Sequence, residues 1–268
     1  MQIVSVINQK GGVGKTTSVA NIGAAIAKLK KKVLIVDLDP QAHLSISFDR
    51  MPEPEDPSLY SLLIGKHSFV DIIQPTNIKN LFIAPTNLDL TGVETELANE
   101  IGREGILSLA LHNLSKTSSP PDIVILDCPP SLGTLSLNAL VASNSVIVPL
   151  QAEFFALQGM AQLLEIIERV KQRLNPKLIL GGILIGMFSK QRNLSQEVLK
   201  ELNEHFGNLV FPTQVRVNVK LAEAPSHGQT IFEYAPESIA AKQFIEIAKE
   251  LCDRLKINIS EEVSSESH

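Results

Sequence analysis

The sequence predicts an α/β fold: a doubly wound, mostly parallel sheet with helices on both faces. Three observations carry this expectation. Short β-branched runs are apolar without the two-residue alternation of a half-exposed sheet, which suits strands covered on both sides. Longer stretches with helical spacing alternate with these runs along the chain. The first run also feeds directly into a glycine-rich turn and then a helical stretch, the local order of an open α/β sheet.

Residues 3–7 read as the first strand, and residues 17–29 as the helix after the turn. The run 32–37 reads as a second strand, followed by 122–127, 145–149 and 178–185. Leu157, Met160, Ala161, Leu164, Ile167 and Val170 recur at helical spacing, as do Phe244, Ile247, Ala248, Leu251 and Leu255. Asn193, with Gln196 three residues later, predicts a capped helix start. Lys28, Lys30, Lys31 and Lys32 mark a helix C-terminus, where cations are favourable. Proline-rich stretches at 51–57 and 117–121 read as loops too short to be linkers, so residues 1–258 are expected to form one domain. Residues 259–268 are polar and acidic, and the composition predicts a disordered tail.

Of 268 residues, 44% are hydrophobic and 20% charged, an ordinary globular balance. Lys+Arg 24 against Asp+Glu 29 gives a net charge of −5, which excludes coating of nucleic acid by bulk charge but leaves room for a local basic patch. Two cysteines, Cys128 and Cys252, exclude a disulfide framework and fit a reducing cytoplasm. No apolar run reaches the roughly 18 residues of a membrane span, and the first residues enter a strand pattern without a signal peptide. The six histidines lack metal-ligand spacing, and no Gly-x-Ser-x-Gly nucleophile motif is present.

The turn is Lys10, Gly11, Gly12, Val13, Gly14, Lys15, Thr16 and Thr17. Glycines let successive backbone N–H groups curl around an anion, and the helix N-terminus adds roughly half a positive charge. Lys15 then reaches the β- and γ-phosphates, and the Thr16 hydroxyl is placed to ligate Mg²⁺. A dinucleotide turn would want a third glycine where Thr17 stands, so the Lys-Thr pair favours a nucleoside triphosphate.

Asp37 and Asp39 end the second strand in Val36-Asp37-Leu38-Asp39-Pro40-Gln41. Two residues apart on a strand, both face one way, at the edge where open α/β sheets bind ligands. A carboxylate there can orient a water for in-line attack or hold Mg²⁺ through water. The run Ile123-Val124-Ile125-Leu126-Asp127-Cys128-Pro129-Pro130 is an apolar strand ending in an acid, a Walker B pattern that places Asp127 near Mg²⁺. Cys128 reads as a small buried residue.

Asn-Gln-Lys-Gly-Gly-Val-Gly-Lys-Thr-Thr, residues 8–17, has Gln9 where the general loop has glycine, and carries a second lysine. It resembles the deviant Walker A motif of the ParA/MinD group of P-loop ATPases. The Asp-Leu-Asp-Pro-Gln segment is similar to the entry of switch I in the ParA family, and Leu90-Thr-Gly-Val-Glu-Thr-Glu-Leu97 to a family helix start. Residues 217–228, Val-Asn-Val-Lys-Leu-Ala-Glu-Ala-Pro-Ser-His-Gly, resemble a late segment that MinD-type relatives do not carry. The likeness to ParA/Soj chromosome and plasmid partition ATPases covers nearly the whole chain.

That resemblance implies a single P-loop ATPase domain with ATP and Mg²⁺ as ligands. ATP would be sandwiched in a homodimer in which Lys10 acts in trans and Lys15 in cis. Asp39 would position water with Asp37 in support, Thr16, Asp39 and Asp127 would serve the metal, and Asn218 would lie against the base. It further implies nonspecific binding of double-stranded DNA by the dimer, a ParB-like partner that stimulates hydrolysis, and a cytoplasmic, nucleoid-associated protein without membrane targeting. Such binding needs phosphate-directed cations, for which Lys190, Arg192, Arg216, Lys220 and Lys242 are candidates. The family's late segment usually reads Pro-Arg where this chain has Arg216 and Val217. Two rival readings are a MinD-like positioning ATPase with a protein cargo, and a non-enzymatic, ATP-switched regulator of gene expression or copy number.

Overall fold

In the computed structural model, which describes residues 1–153 and 156–259, seven strands pair into one sheet: β1 (Gln2–Val6), β2 (Val33–Asp37), β3 (Gln74–Pro75), β4 (Leu81–Ala84), β5 (Ile123–Asp127), β6 (Ser145–Gln151) and β7 (Ile179–Gly186). Their order is β3-β4-β2-β5-β1-β6-β7. Every ladder is parallel except the short β3–β4 edge. The longer helices are α1 (Lys15–Lys28), α2 (Ile106–Ser115), α3 (Thr134–Ala142), α4 (Ala156–Arg173), α5 (Asn193–Phe206) and α6 (Ile239–Arg254).

Pleating explains why the central strands are apolar throughout. Val33, Ile35, Ile123 and Ile125 enter a core built with α1 and α6, including Val19, Ile22, Ile26, Phe244, Ile247 and Leu251. Their neighbours Leu34, Val36, Val124 and Leu126 enter the opposite core, with Leu107, Leu111, Met160, Leu163 and Ile167 of α2 and α4. Successive strand side chains alternate between faces, so both faces demand apolar residues. The expected doubly wound sheet is therefore present.

Two edge elements escaped the sequence pattern: β4, of four residues, and the two-residue β3. The cap expected at Asn193 is corrected. Asn193 is the first helical residue of α5, and Arg192 is the N-cap, its carbonyl accepting from the Ser195 and Gln196 N–H groups at 3.0 and 3.4 Å. The Gln196 amide donates to the Lys190 carbonyl at 2.6 Å instead of reaching back to the cap. Ile259, expected in the tail, packs half-buried against the α1–α6 core; residues 260–268 of that tail lie outside the described residues. Among the described residues, no helix is long and apolar enough to cross a membrane.

Candidate nucleotide site

The site lies at the C-terminal ends of β1, β2 and β5. Beyond β1, Asn8 is buried and ties the turn to β6: its amide donates to the Pro149 carbonyl at 2.7 Å, and its Oδ1 accepts from the Lys10 N–H at 2.9 Å. Gly12 (φ 73°) and Gly14 (φ 88°) adopt left-handed backbone, cheap for glycine and costly for other residues. A Cβ built on either would meet no atom within 4 Å, so both open onto free space. The Gly12 carbonyl accepts from the Gln151 amide at 2.9 Å. Gly14 is the N-cap of α1, which starts at Lys15, two residues earlier than the sequence suggested, and has no side-chain cap. The first N–H groups of such a helix have no intrahelical acceptors.

Lys15 is buried, and among the described residues its amine finds only the Lys10 carbonyl as acceptor, at 3.3 Å. Burial lowers its pKa, and the nearby carboxyls of Asp127 and Asp39 offset part of that. Asp127 is also buried, and among the described residues neither carboxylate oxygen makes a regular hydrogen bond, the Thr16 hydroxyl interacting with it only weakly. Burial first, then the charge of Asp37, raises its pKa well above the ordinary carboxylate value; the neighbouring Thr16 hydroxyl and Lys15 pull the other way. An orphaned anionic group at this depth is costly unless a ligand completes it. With the Thr16 hydroxyl beside it, it suits a hard, oxygen-seeking divalent cation that keeps part of its water shell. Among the described residues, no three His, Cys, Asp or Glu side chains gather to hold a metal by themselves, which fits a cation shared with phosphate oxygens.

Asp37 and Asp39 differ in their surroundings. Asp37 is fully buried; its Oδ2 accepts from the Ser45 N–H at 2.8 Å and the Ser45 hydroxyl at 2.7 Å, and its Oδ1 from the Asp39 N–H at 3.2 Å. Burial pushes its pKa up to about 7. Asp39 stands past the strand end, its Oδ1 accepting from the Gln41 N–H at 3.0 Å. Asp37 therefore holds the segment 39–45 in shape, and Asp39 is the carboxylate at the strand mouth. Cys128 is buried and its thiol pKa is raised by burial, as its reading as a packing residue requires.

A cavity of about 360 Å³ adjoins the turn, lined by Val13, Thr17, Pro149, Met187, Val217 and Asn218 among others. Its size and apolar walls suit a small ligand. The Asn218 Oδ1 accepts from the Lys220 N–H at 2.9 Å and caps the short helix Val219–Glu223. Lys10 lies half-exposed in an ion pair with Glu153. Sequence reasoning missed Asn8, Ser45, Gln151, Glu153 and Met187, because each acts through a partner or neighbour that no local pattern announces.

All five candidate DNA-contacting residues are exposed. A bridge between Phe188 and Arg216 sets the 188–192 segment beside Arg216, whose N–H donates to Gln243 of α6 at 3.3 Å, next to Lys242. Lys190, Arg216 and Lys242 thus come from adjoining segments. Arg192 caps α5, and Lys220 sits on the helix beside the cavity.

The AAA domain family matches residues 1–180. The chain is 40% identical over 250 residues to the sporulation initiation inhibitor protein Soj of Bacillus subtilis, covering 93% of this chain and 98% of that one. It is 42% identical over 248 residues to the chromosome-partitioning ATPase Soj of Treponema pallidum, covering 92% and 96%. A cobyrinic acid a,c-diamide synthase from Mycobacterium smegmatis, solved with ADP and magnesium, superposes with a TM-score of 0.83 at 35% identity over 96% of each chain. With a P-loop at the mouth of a mostly parallel sheet and this likeness along nearly its whole length, the chain belongs to the ParA/Soj family of partition ATPases.

Proposed function

We propose that the chain is a Mg²⁺-dependent ATP hydrolase that cycles between monomer and ATP-sandwiched homodimer and so segregates chromosomal or plasmid DNA. The observation that carries the reading is the pairing of Lys15 and Asp127: a buried amine and a buried carboxyl beside the open turn, neither adequately partnered by the described residues. Backbone N–H groups of the turn and Lys15 hold the phosphates, and the apolar cavity at Met187, Val217 and Asn218 takes the base. Thr16 and Asp127 hold Mg²⁺, which when bound neutralises charge on the phosphate oxygens. Asp39, at the strand mouth, orients the attacking water, with Asp37 fixing the segment that carries it. Catalysis here is positioning and charge stabilisation, and turnover without a stimulus is slow.

Lys10 of each protomer leaves Glu153 and completes the partner's site. The dimer juxtaposes two exposed patches at Lys190, Arg216 and Lys242, with Arg192 and Lys220 beside them, and binds double-stranded DNA through phosphates without reading sequence. A ParB-like protein triggers hydrolysis and release, so the protein works in the cytoplasm on the nucleoid. Amide synthesis, named for the mycobacterial structure, is disfavoured if its nitrogen comes from glutamine through a thiol nucleophile. Both cysteines of this chain are buried, with thiol pKa values raised.

Size analysis of Asp39→Ala with and without ATP, repeated with nonspecific DNA, tests the reading. A dimer trapped by ATP that carries DNA is expected. A monomer under all conditions, or DNA binding indifferent to ATP, overturns it. Lys15→Ala is expected to lose nucleotide binding altogether.

A further inference from the structure

The loop following Asp127 runs through Cys128, Pro129, Pro130, Ser131, Leu132 and Gly133 into α3. Its near end is fixed: the Cys128 N–H donates to the Val6 carbonyl at 3.2 Å, and the Asp127 carbonyl accepts from the Leu38 N–H at 3.0 Å. Two consecutive prolines leave its centre short of N–H donors. The far end is held from another part of the chain. The Glu94 Oε1 accepts from the Thr134 N–H, the first of α3, at 3.0 Å. A carboxylate there satisfies an orphan donor and complements the helix dipole.

Gly133 shows how closely this contact is built. Its backbone (φ −85°, ψ −160°) is open to any residue, so conformation does not demand glycine. A Cβ on Gly133 would stand 1.9 Å from the Glu94 Oε1, so a side chain there would swing the exposed Glu94 carboxylate off the Thr134 N–H. Glu94 is itself carried on a firm base, the helix Val93–Glu96, whose Val93 is buried with Leu90 and Leu97 in the same core as Leu38 and Leu126.

We propose that Glu94 is a positioning residue for ATP hydrolysis. By gripping the backbone at Gly133–Thr134, it fixes the far end of the loop that leaves Asp127, and so the placement of that loop beside the phosphates. The proposal rests on the ATPase reading above and adds to it a residue that contacts neither nucleotide nor metal. Misplacement of about 1 Å at a distance from the chemistry can lower a rate by up to about a hundredfold.

The test is a double-mutant cycle in the full chain with Glu94→Ala, Gly133→Ala and their combination, alongside Glu94→Gln. Readouts are kcat, KM for ATP, thermal melting, and hydrogen exchange at the Thr134 amide. Each single variant is expected to lower kcat about tenfold or more, to leave KM within about twofold, and to lose protection at Thr134. The double variant should be no slower than Glu94→Ala, because both substitutions remove one contact. Glu94→Gln, which keeps an acceptor oxygen, should recover part of the rate. Unchanged kcat in both single variants, multiplicative losses in the double variant, or equal losses in kcat and melting without Gln rescue overturn the proposal. Absence of turnover in the unmodified protein would instead overturn the ATPase reading beneath it, and the proposal with it.

Discussion

Asp37 and Asp127 stand opposite one another in the β2–β5 register, both fully buried, and the described residues supply regular hydrogen bonds to Asp37 but none to Asp127. The pair makes stability depend on pH in an unusual direction. Burial raises Asp37 from 3.8 to about 7, and burial together with the charge of Asp37 raises Asp127 well above 3.8. In the unfolded chain both ionise near the ordinary value. Between about pH 4 and 7 the folded protein therefore holds protons that the unfolded chain has released, and stability drains as pH rises. The urea midpoint of nucleotide-free protein should fall from pH 5 to pH 7.5, and Asp37→Asn should flatten part of that slope. A midpoint that climbs over this range would refute the assignment.

Gly14 tests the turn itself. Its φ of 88° costs a side chain roughly 1–2 kcal/mol, and a Cβ there occupies the free space the loop leaves open. Gly14→Ala should fold, melt a few degrees lower, and bind a fluorescent ATP analogue at least tenfold more weakly. Undiminished affinity would mean that the phosphates do not sit against Gly14.

Lys10 is half-exposed in its ion pair with Glu153, and exposed pairs contribute at most about 1 kcal/mol. Lys10→Ala should leave melting and monomeric nucleotide binding intact while abolishing turnover. Mixing it with Asp39→Ala, which keeps Lys10 and binds ATP, gives heterodimers in which one site has a cis Lys15 and Asp39 and a trans Lys10, so part of the turnover should return. No recovery on mixing would place Lys10 outside the partner's site.

The central sheet was legible because burial on both faces leaves a continuous apolar run, and the turn because its glycines, lysines and threonines act locally. What stayed hidden is non-local. Asn8 finds Pro149, Gln151 finds Gly12 and Glu94 finds Thr134 across wide gaps in sequence. The strand Leu81–Ala84 is too short to announce itself, and exists because β2 offers it a parallel edge. Asn193 looked like a cap because its residue type favours one, yet the turn at Ser189–Arg192 delivers the Arg192 carbonyl to that position first. The acidic strand ends were visible, but not that Ser45 would engage Asp37 while no described residue makes a regular hydrogen bond to Asp127.

Arg254 closes the edge of the sheet at β7. Its guanidinium lies 4.2 Å from the Phe211 ring centre, donates to the carbonyls of Gly181 and Leu209 at 3.0 and 3.1 Å, and pairs with Glu250 at 2.7 Å. These planar, forked contacts suit arginine and not lysine. Arg254→Ala should cost about 2–4 kcal/mol in urea unfolding through unpaired carbonyls and lost stacking, and Arg254→Lys should recover less than half of it. A loss below about 0.5 kcal/mol, the range of ordinary surface substitutions, would show the cluster to be incidental.

The DNA reading is testable through salt, because phosphate contacts release counterions and base contacts do not. Each phosphate neutralised contributes about 0.9 to the slope of log affinity against log salt. Arg216 and Lys242, both exposed, flank the contact between the Arg216 N–H and Gln243, so they belong to one patch. Changing either to alanine alters two residues per dimer and should reduce the slope by about 2. The affinity loss should be equal for DNA of any sequence. Arg169→Ala, exposed in an ion pair with Glu165 on α4, which packs on the face of the sheet opposite α6, is the control and should leave the slope unchanged. If the Arg216 and Lys242 variants keep the full slope while binding weakens, the loss is structural and DNA lies elsewhere. If only some sequences weaken, the patch reads bases, and nonspecific carriage of the chromosome is the wrong description.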